Sequence, residues 1–120
     1  MKKLISLFII LFISSNSYAV NDKLFCGIRS GLEYKKEVDH FRNDKTKHCA
    51  LSCMIAVECP DAEAYILGYL KELWDLVSPG DADSQDIAAN NDGIRMSQMI
   101  SPDQIVSGCI ESCLEIYPSR

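Results

Sequence analysis

The side chains best suited to chemistry in this sequence are a histidine, several acids and an amide, and they recur at helical spacing. His48 follows Asp44 by four residues, and Asp86, Asn90 and Gly93 fall at positions i, i+4 and i+7. Residues spaced in this way lie along one face of a helix. The two segments therefore predict two polar lines that face a common pocket.

A third polar line lies between these two in the sequence. Glu72 and Asp75 are one helical turn apart, and Gly68 lies one turn before Glu72 on the same face. A glycine at that position lets another backbone or a ligand approach closely. The sequence thus predicts one pocket formed by three helices. The residues expected to support it structurally are Asp44, Gly68, Asp75 and Gly93.

Two kinds of chemistry fit this pocket. His48, Glu72 and Asp86 offer ligands for a divalent metal ion that would activate a water molecule. Without a metal, His48 would act as a general base oriented by Asp44 or Asp86. Asn90 would then donate to a developing oxyanion. A structural role fits the same spacing, since a single histidine beside a cysteine in a helix is often a half-buried, hydrogen-bonded side chain.

Six cysteines give the firmest structural prediction. Cys49 and Cys53 are four residues apart, as are Cys109 and Cys113, so each pair lies on one face of a helix. Two such helices packed antiparallel can form two disulfide rungs. A zinc site of four cysteines is the rival interpretation, although such sites usually have shorter spacings and occur in reducing compartments. The predicted bridges are Cys49–Cys113, Cys53–Cys109 and, for the remaining two cysteines, Cys26–Cys59.

The first nineteen residues have the pattern of a secretory signal peptide. Lys2 and Lys3 precede an apolar stretch over residues 4–13, and the small residues Ser17 and Ala19 after it favour cleavage after Ala19. The apolar stretch is about ten residues, well short of the ~20 that cross a bilayer. The sequence therefore predicts a periplasmic or secreted protein with no stable membrane anchor, in which all six cysteines belong to the exported part.

The charge of the chain disfavours polyanionic partners. Its formal net charge is −5, and loss of Lys2 and Lys3 with the signal peptide would make it −7. Nucleic acids and anionic bilayer surfaces would repel such a protein. The partners that remain are a lipid or other envelope substrate, or another protein.

The hydrophobic periodicity is helical nearly everywhere and predicts an all-α fold, a small disulfide-stapled bundle of about four helices over residues 44–117. Ser101, Pro102 and Gln104 form the pattern of a capping box at the start of the last helix. Residues 20–43 fit an irregular or a helical segment, with helical fragments broken at Gly27 and Gly31. The predicted helices run from Asp44 to Glu58, from Asp61 to about Val77, from Ser84 to Asn91 with Gly93 closing it, and from Ser101 to just before Pro118.

Three short motifs occur here in an order that is similar to known families. They are DKTKH at 44–48, GYLKELWD at 68–75 and DIAANNDG at 86–93. Together they resemble YfiM-like envelope proteins, more distantly VanZ-like membrane proteins, and the helical domains at the tips of Rhs-type polymorphic toxins. Lys47 stands where the toxin pattern has arginine, and Lys71 where many members have histidine. The resemblance implies a pocket of His48, Glu72, Asp86 and Asn90, without implying a particular reaction.

These observations lead to three functional hypotheses. The first is a hydrolase that acts on an envelope component such as phospholipid, deployed as a toxin-like effector, with a divalent metal as its one suggested cofactor. The second is a non-catalytic envelope protein whose polar network ties helices together and whose acidic surface binds a protein partner. The third is an inhibitor or immunity protein, which fits the size and acidity. Whether the protein is an enzyme is left open by the sequence.

Overall fold

The computed structural model describes residues 25–62, residue 66 and residues 84–118. Within these ranges all regular structure is helical and no strand occurs, which confirms the all-α prediction. The predicted signal peptide over residues 1–19 and most of the predicted second helix lie outside the described residues. The same holds for Gly68, Glu72 and Asp75.

Four α-helices and two short 3-10 turns make up the described part of the chain. None of these helices has the length and apolar character needed to cross a membrane. In chain order they are α1 at residues 25–38, α2 at Asp44–Glu58, a 3-10 turn at Pro60–Ala62, α3 at Ser84–Ser97, a 3-10 turn at Pro102–Gln104, and α4 at Ile105–Ile116.

Helix α2 is the central element of the core, and its predicted bounds are confirmed. Asn43 caps it, because the Asn43 side chain accepts a hydrogen bond of 2.9 Å from the backbone N–H of Lys45. Asp44 in the first turn places a negative charge at the positive end of the helix dipole. Ten of its fifteen residues are buried, so neighbouring chain segments must cover α2 on several sides.

Three disulfides fix α1 and α4 against α2. Cys26 near the start of α1 bonds to Cys59 directly after α2, so α1 and α2 form an antiparallel hairpin. Cys49 bonds to Cys113 and Cys53 to Cys109, which places α4 antiparallel to α2 with Cα separations of 5.8 and 5.7 Å. The predicted pairing is confirmed, and no cysteine is left to bind zinc. Three disulfides are typical of a protein that folds in an oxidising, extracytoplasmic compartment.

The predicted breaks at Gly27 and Gly31 within residues 20–43 are wrong. Helix α1 runs through Gly27 and Gly31 without interruption. A glycine inside a helix costs about 1 kcal/mol of helix propensity. Burial of Ser30 and Val38 against the core, together with the Cys26–Cys59 bridge, outweighs that cost.

The predicted boundaries of the last two helices also need correction. Gly93 does not close α3, which continues to Ser97. Ser101 makes no capping hydrogen bond to the backbone, because its hydroxyl donates to the carboxylate of Asp103 instead. The chain therefore enters α4 through the 3-10 turn, and α4 begins at Ile105.

Candidate functional site

Helices α2 and α3 lie side by side and run in the same direction. Positions 45, 48 and 53 of α2 contact positions 86, 90 and 93 of α3, in that order. The facing side of α3 is a line of small and polar residues that are buried. We call the five polar residues that meet between these helices the polar ladder: Lys45, His48 and Ser52 from α2, and Asp86 and Asn90 from α3.

Gly93 sets how closely these two helices approach. A Cβ atom added at Gly93 would lie 2.1 Å from the carbonyl oxygen of Cys49 and 3.0 Å from the backbone nitrogen of Cys53. The obstacle is the backbone of α2, which cannot rotate aside as a side chain would. The absence of a Cβ at Gly93 is therefore what allows the short side chains of the ladder to reach across the interface.

His48 occupies the centre of the ladder and is only 3% exposed. Its Nδ1 atom lies 3.0 Å from Oδ1 of Asn90, and the Ser52 hydroxyl donates to the same oxygen at 3.1 Å. An amide oxygen can only accept hydrogen bonds. With its proton on Nδ1, the neutral imidazole of His48 donates this hydrogen bond to Asn90.

The other ring nitrogen of His48 faces a carboxylate. Its Nε2 atom is 3.6 Å from Oδ2 of Asp86, whose second oxygen accepts a hydrogen bond from the Lys45 ammonium group. Lys45 thus neutralises the charge of Asp86 in the interface. Without this partner, burial of the carboxylate would cost considerable free energy.

The surroundings of His48 lower its pKa below the ordinary value of 6.5. Burial is the main cause, since it penalises the charged imidazolium, and the positive charge of Lys45 acts in the same direction. Asp86 and the hydrogen bond to Asn90 oppose the shift without cancelling it. His48 is therefore neutral at pH 7, the state required of a general base, but both of its nitrogens face groups of the protein.

Four of the predicted pocket residues come together in this interface: His48, Asp86, Asn90 and Gly93. Asp44 is exposed, and its carboxylate pairs with Lys47 at 3.8 Å. Asp86, and not Asp44, is thus the carboxylate that lies against the imidazole ring.

The metal prediction stays a prediction. His48 and Asp86 are adjacent, whereas the third proposed ligand, Glu72, lies outside the described residues. Over residues 25–62 and 84–118, no group of three or more histidines, cysteines or acids is arranged to hold a metal ion. The ammonium group of Lys45 on Asp86 would also compete with a cation there.

Sequence reasoning missed Lys45 as a member of the site. Lys45, His48 and Ser52 fall at positions i, i+3 and i+7, which is the spacing of one helix face. A lysine in the same line as a candidate histidine was the available signal. Its partner on another helix could not be inferred, because that depends on how α2 and α3 pack.

The chain after α4 forms hydrogen bonds with the start of α2 and the middle of α3. The Thr46 hydroxyl donates to the carbonyl oxygen of Tyr117 at 2.6 Å, and Asn43 Nδ2 donates to the carbonyl of Pro118 at 3.2 Å. The Tyr117 hydroxyl donates to Asp92, and this hydrogen bond is the main reason the pKa of Tyr117 rises to about 12. These contacts hold α2 and α3 together next to the polar ladder.

The lowered pKa of His48 predicts that mild acid destabilises the fold. The unfolded chain takes up a proton near pH 6.5, whereas the folded ring resists protonation until a lower pH. The contribution of His48 to the free energy of unfolding is therefore fully present above about pH 6.5. It is lost as the pH drops below that value, at a rate of at most about 1.4 kcal/mol per pH unit.

Urea unfolding of the wild type and His48→Gln at about pH 7.5 and pH 5.5 measures this effect. The wild type should lose more stability than the variant between the two conditions. His40 is exposed, so His40→Gln is a matched control that should keep the wild-type pH dependence. An identical pH dependence in the wild type and His48→Gln would contradict the prediction.

No protein-family model matches this chain, and neither the curated proteins nor the solved structures gave a significant match. The resemblance to YfiM-like, VanZ-like and Rhs-tip proteins therefore stays a prediction.

Proposed function

We propose that this protein is a non-catalytic module of the periplasm or cell exterior that acts by binding another protein. Its signal peptide is cleaved after Ala19, and its polar ladder has a structural role. One observation carries the proposal: the ladder is buried, and its side chains hydrogen-bond to one another. His48 is 3% exposed and Asn90 is 6% exposed, so neither is placed to meet a substrate from solvent.

A buried ladder of this kind specifies how two helices fit together. Asn90 forms hydrogen bonds with both His48 and Ser52, and Lys45 donates a hydrogen bond to Asp86. Sliding α3 by one turn would separate these pairs and leave buried polar groups unmatched, at about 1 to 3 kcal/mol for each group. The ladder therefore selects one register of α2 and α3, as buried polar groups do in other helical assemblies.

The surface of α4 supports a role in binding. Glu111 and Glu115 are exposed along its outer side, and Asp103 is exposed in the turn before it. Residues 98–118 contain no lysine or arginine. A surface with charge of one sign attracts a partner with charge of the other sign and speeds their encounter. A partner protein with a basic surface fits this side of the molecule.

Asn90→Ala tests the structural role of the ladder. The substitution removes the acceptor shared by His48 and Ser52, so the free energy of unfolding should fall by about 2 to 3 kcal/mol. Gln98 is an exposed amide, and Gln98→Ala is the matched control with an expected change within about 0.5 kcal/mol. Urea unfolding followed by circular dichroism gives both values. A loss for Asn90→Ala no greater than for Gln98→Ala would refute the structural role.

A hydrolase acting on an envelope component such as phospholipid is the second candidate. The observation that favours it is a neutral imidazole beside the Asp86–Lys45 pair. In that mechanism His48 takes a proton from water or substrate, and Asp86 stabilises the imidazolium that results. Glu72 and Asp86 would serve as metal ligands or orienting groups, and Asn90 would assist the oxyanion.

Phospholipid vesicles separate the two candidates. The oxidised wild type and His48→Gln are each incubated with vesicles in zinc, calcium or a chelator, and released fatty acid is measured. The structural proposal expects no release by either protein in any condition. Release by the wild type that is lost in a folded His48→Gln variant would establish the hydrolase and overturn the proposal. Thermal unfolding in the same ions would show whether binding of a metal stabilises the fold.

A further inference from the structure

The outward side of α1 has an unusual composition for a surface helix. Phe25, Arg29, Leu32 and Lys36 fall at positions i, i+4, i+7 and i+11, so they lie on one line along the helix. The buried residues of α1, which are Ser30, Gly31 and Val38, lie on the opposite side. We call these four residues the α1 stripe.

Both apolar members of the α1 stripe are largely exposed to solvent. Phe25 is 66% exposed and Leu32 is 60% exposed, although a solvent-facing helix line normally carries polar residues. Single exposed apolar residues need no explanation, but two on one line with basic residues between them form a coherent surface. Covering this surface would remove both apolar side chains from water.

The basic members of the stripe are available for a partner. Among the described residues, no ion pair is seen for Arg29 or Lys36, although Glu33 is exposed one turn from each along the helix. By contrast, four basic side chains of the described residues do form ion pairs with acids: Lys35, Lys45, Lys47 and Arg95.

The outer side of α4 complements the stripe. Ser107, Glu111 and Glu115 are exposed at intervals of four, and Asp103 extends the same line into the preceding turn. Leu114 lies half-exposed beside them and offers apolar area. The two basic residues of the stripe are about 10 Å apart along α1, a distance that the acids spaced along α4 can match with long, flexible side chains.

We infer that the α1 stripe of one molecule binds the acidic outer side of α4 in a second copy of this chain. This inference deepens the proposed function, because it names the partner of the acidic surface. One chain carries both complementary surfaces, and a second copy therefore supplies the apolar cover for Phe25 and Leu32 and the acids for Arg29 and Lys36. A contact between single helix faces is small, so the association is weak and depends on salt.

Sedimentation velocity from about 10 µM to about 1 mM tests the inference at low and high salt. The wild type should associate as its concentration rises, and less so at high salt. Arg29→Glu with Lys36→Glu should weaken association at least about tenfold, as should Glu111→Lys with Glu115→Lys. Arg42 is an exposed arginine outside α1, and Arg42→Glu is the control that should associate like the wild type.

Mixing the two charge-reversed double variants gives the sharpest readout. Each carries one reversed surface, so a molecule of one kind presents charges that match those of the other kind, and association should return in the mixture. A wild type that stays monomeric throughout, or a mixture that stays as weak as its components, would overturn the inference.

A lipid surface is the other conceivable occupant of the α1 stripe, and vesicle sedimentation detects it. Wild type that remains monomeric and co-sediments with phospholipid vesicles, with loss of binding in Phe25→Ser, would replace the second copy by lipid. These outcomes are distinguishable from failure of the proposed function, since the stability of Asn90→Ala and the vesicle hydrolysis assay do not depend on self-association.

Discussion

Gly93→Ala is expected to lower the free energy of unfolding by about 3 kcal/mol or more, which corresponds to a fall of roughly 15 °C in Tm for a domain of this size. The added methyl carbon would lie 2.1 Å from the carbonyl oxygen of Cys49 and 3.0 Å from the carbonyl carbon. Contacts this short cannot be relieved by rotating a side chain, because the opposing atoms belong to the backbone of α2.

The cost of Gly93→Ala is large because α2 has little room to move. Cys49 and Cys53 hold it to α4 through two disulfides, so α3 must shift away from α2 to accept the methyl group. That shift stretches the two hydrogen bonds that Asn90 accepts from His48 and Ser52, and it opens the ladder to water. The variant should therefore also lose the part of the pH dependence that belongs to His48.

Gly27→Ala is the matched control for Gly93→Ala. Gly27 lies within α1, and a Cβ added there meets nothing within 4 Å. Alanine favours helix over glycine, so this variant should gain up to about 1 kcal/mol of stability. Thermal unfolding of both variants under oxidising conditions makes the comparison. If Gly93→Ala melted within a few degrees of Gly27→Ala, the close contact between α2 and α3 would not exist in solution.

Removal of the Cys49–Cys113 bridge is the second change with a large expected effect. The two residues are separated by 64 positions, and constraining a loop of that length in the unfolded chain is worth about 4 kcal/mol. Both cysteines are fully buried, and the Met96 sulfur lies 4.0 and 3.9 Å from their sulfur atoms. The Cys49→Ala/Cys113→Ala variant therefore also loses packing in the core.

The Cys26–Cys59 bridge provides the comparison. Its separation of 33 residues gives a similar entropic contribution, smaller by only about 0.6 kcal/mol. Cys26 is only partly buried, so the Cys26→Ala/Cys59→Ala variant should lose less packing and remain the more stable of the two. Urea unfolding at pH 7 ranks the variants. A Cys49→Ala/Cys113→Ala variant that is as stable as the wild type would contradict the central position of that bridge.

Helix type, the extent of α2 and the disulfide pairing could be predicted from the sequence. Each of these depends on local spacing: apolar residues at steps of three and four define α2, and two cysteine pairs spaced by four residues can meet only when their helices pack face to face. The capping residue and the proline at position 60 supply the boundaries. The spacing that defines α2 is carried by neighbours in the chain, whereas the pairing also depends on the antiparallel packing of α2 and α4, which the sequence analysis assumed and the structure shows.

Helix continuity and the partners within the site were decided by the tertiary structure. The sequence predicts helix breaks at Gly27 and Gly93 because glycine disfavours helix locally. Burial of α1 and the close packing of α3 against the α2 backbone override that preference. His48, Asp86 and Asn90 were identified from spacing, whereas Lys45 and its partner were not. Sequence spacing fixes which side chains share a face of a helix. Which faces meet, and how much water remains between them, depends on packing between residues about forty positions apart, as for Lys45 and Asp86 or His48 and Asn90.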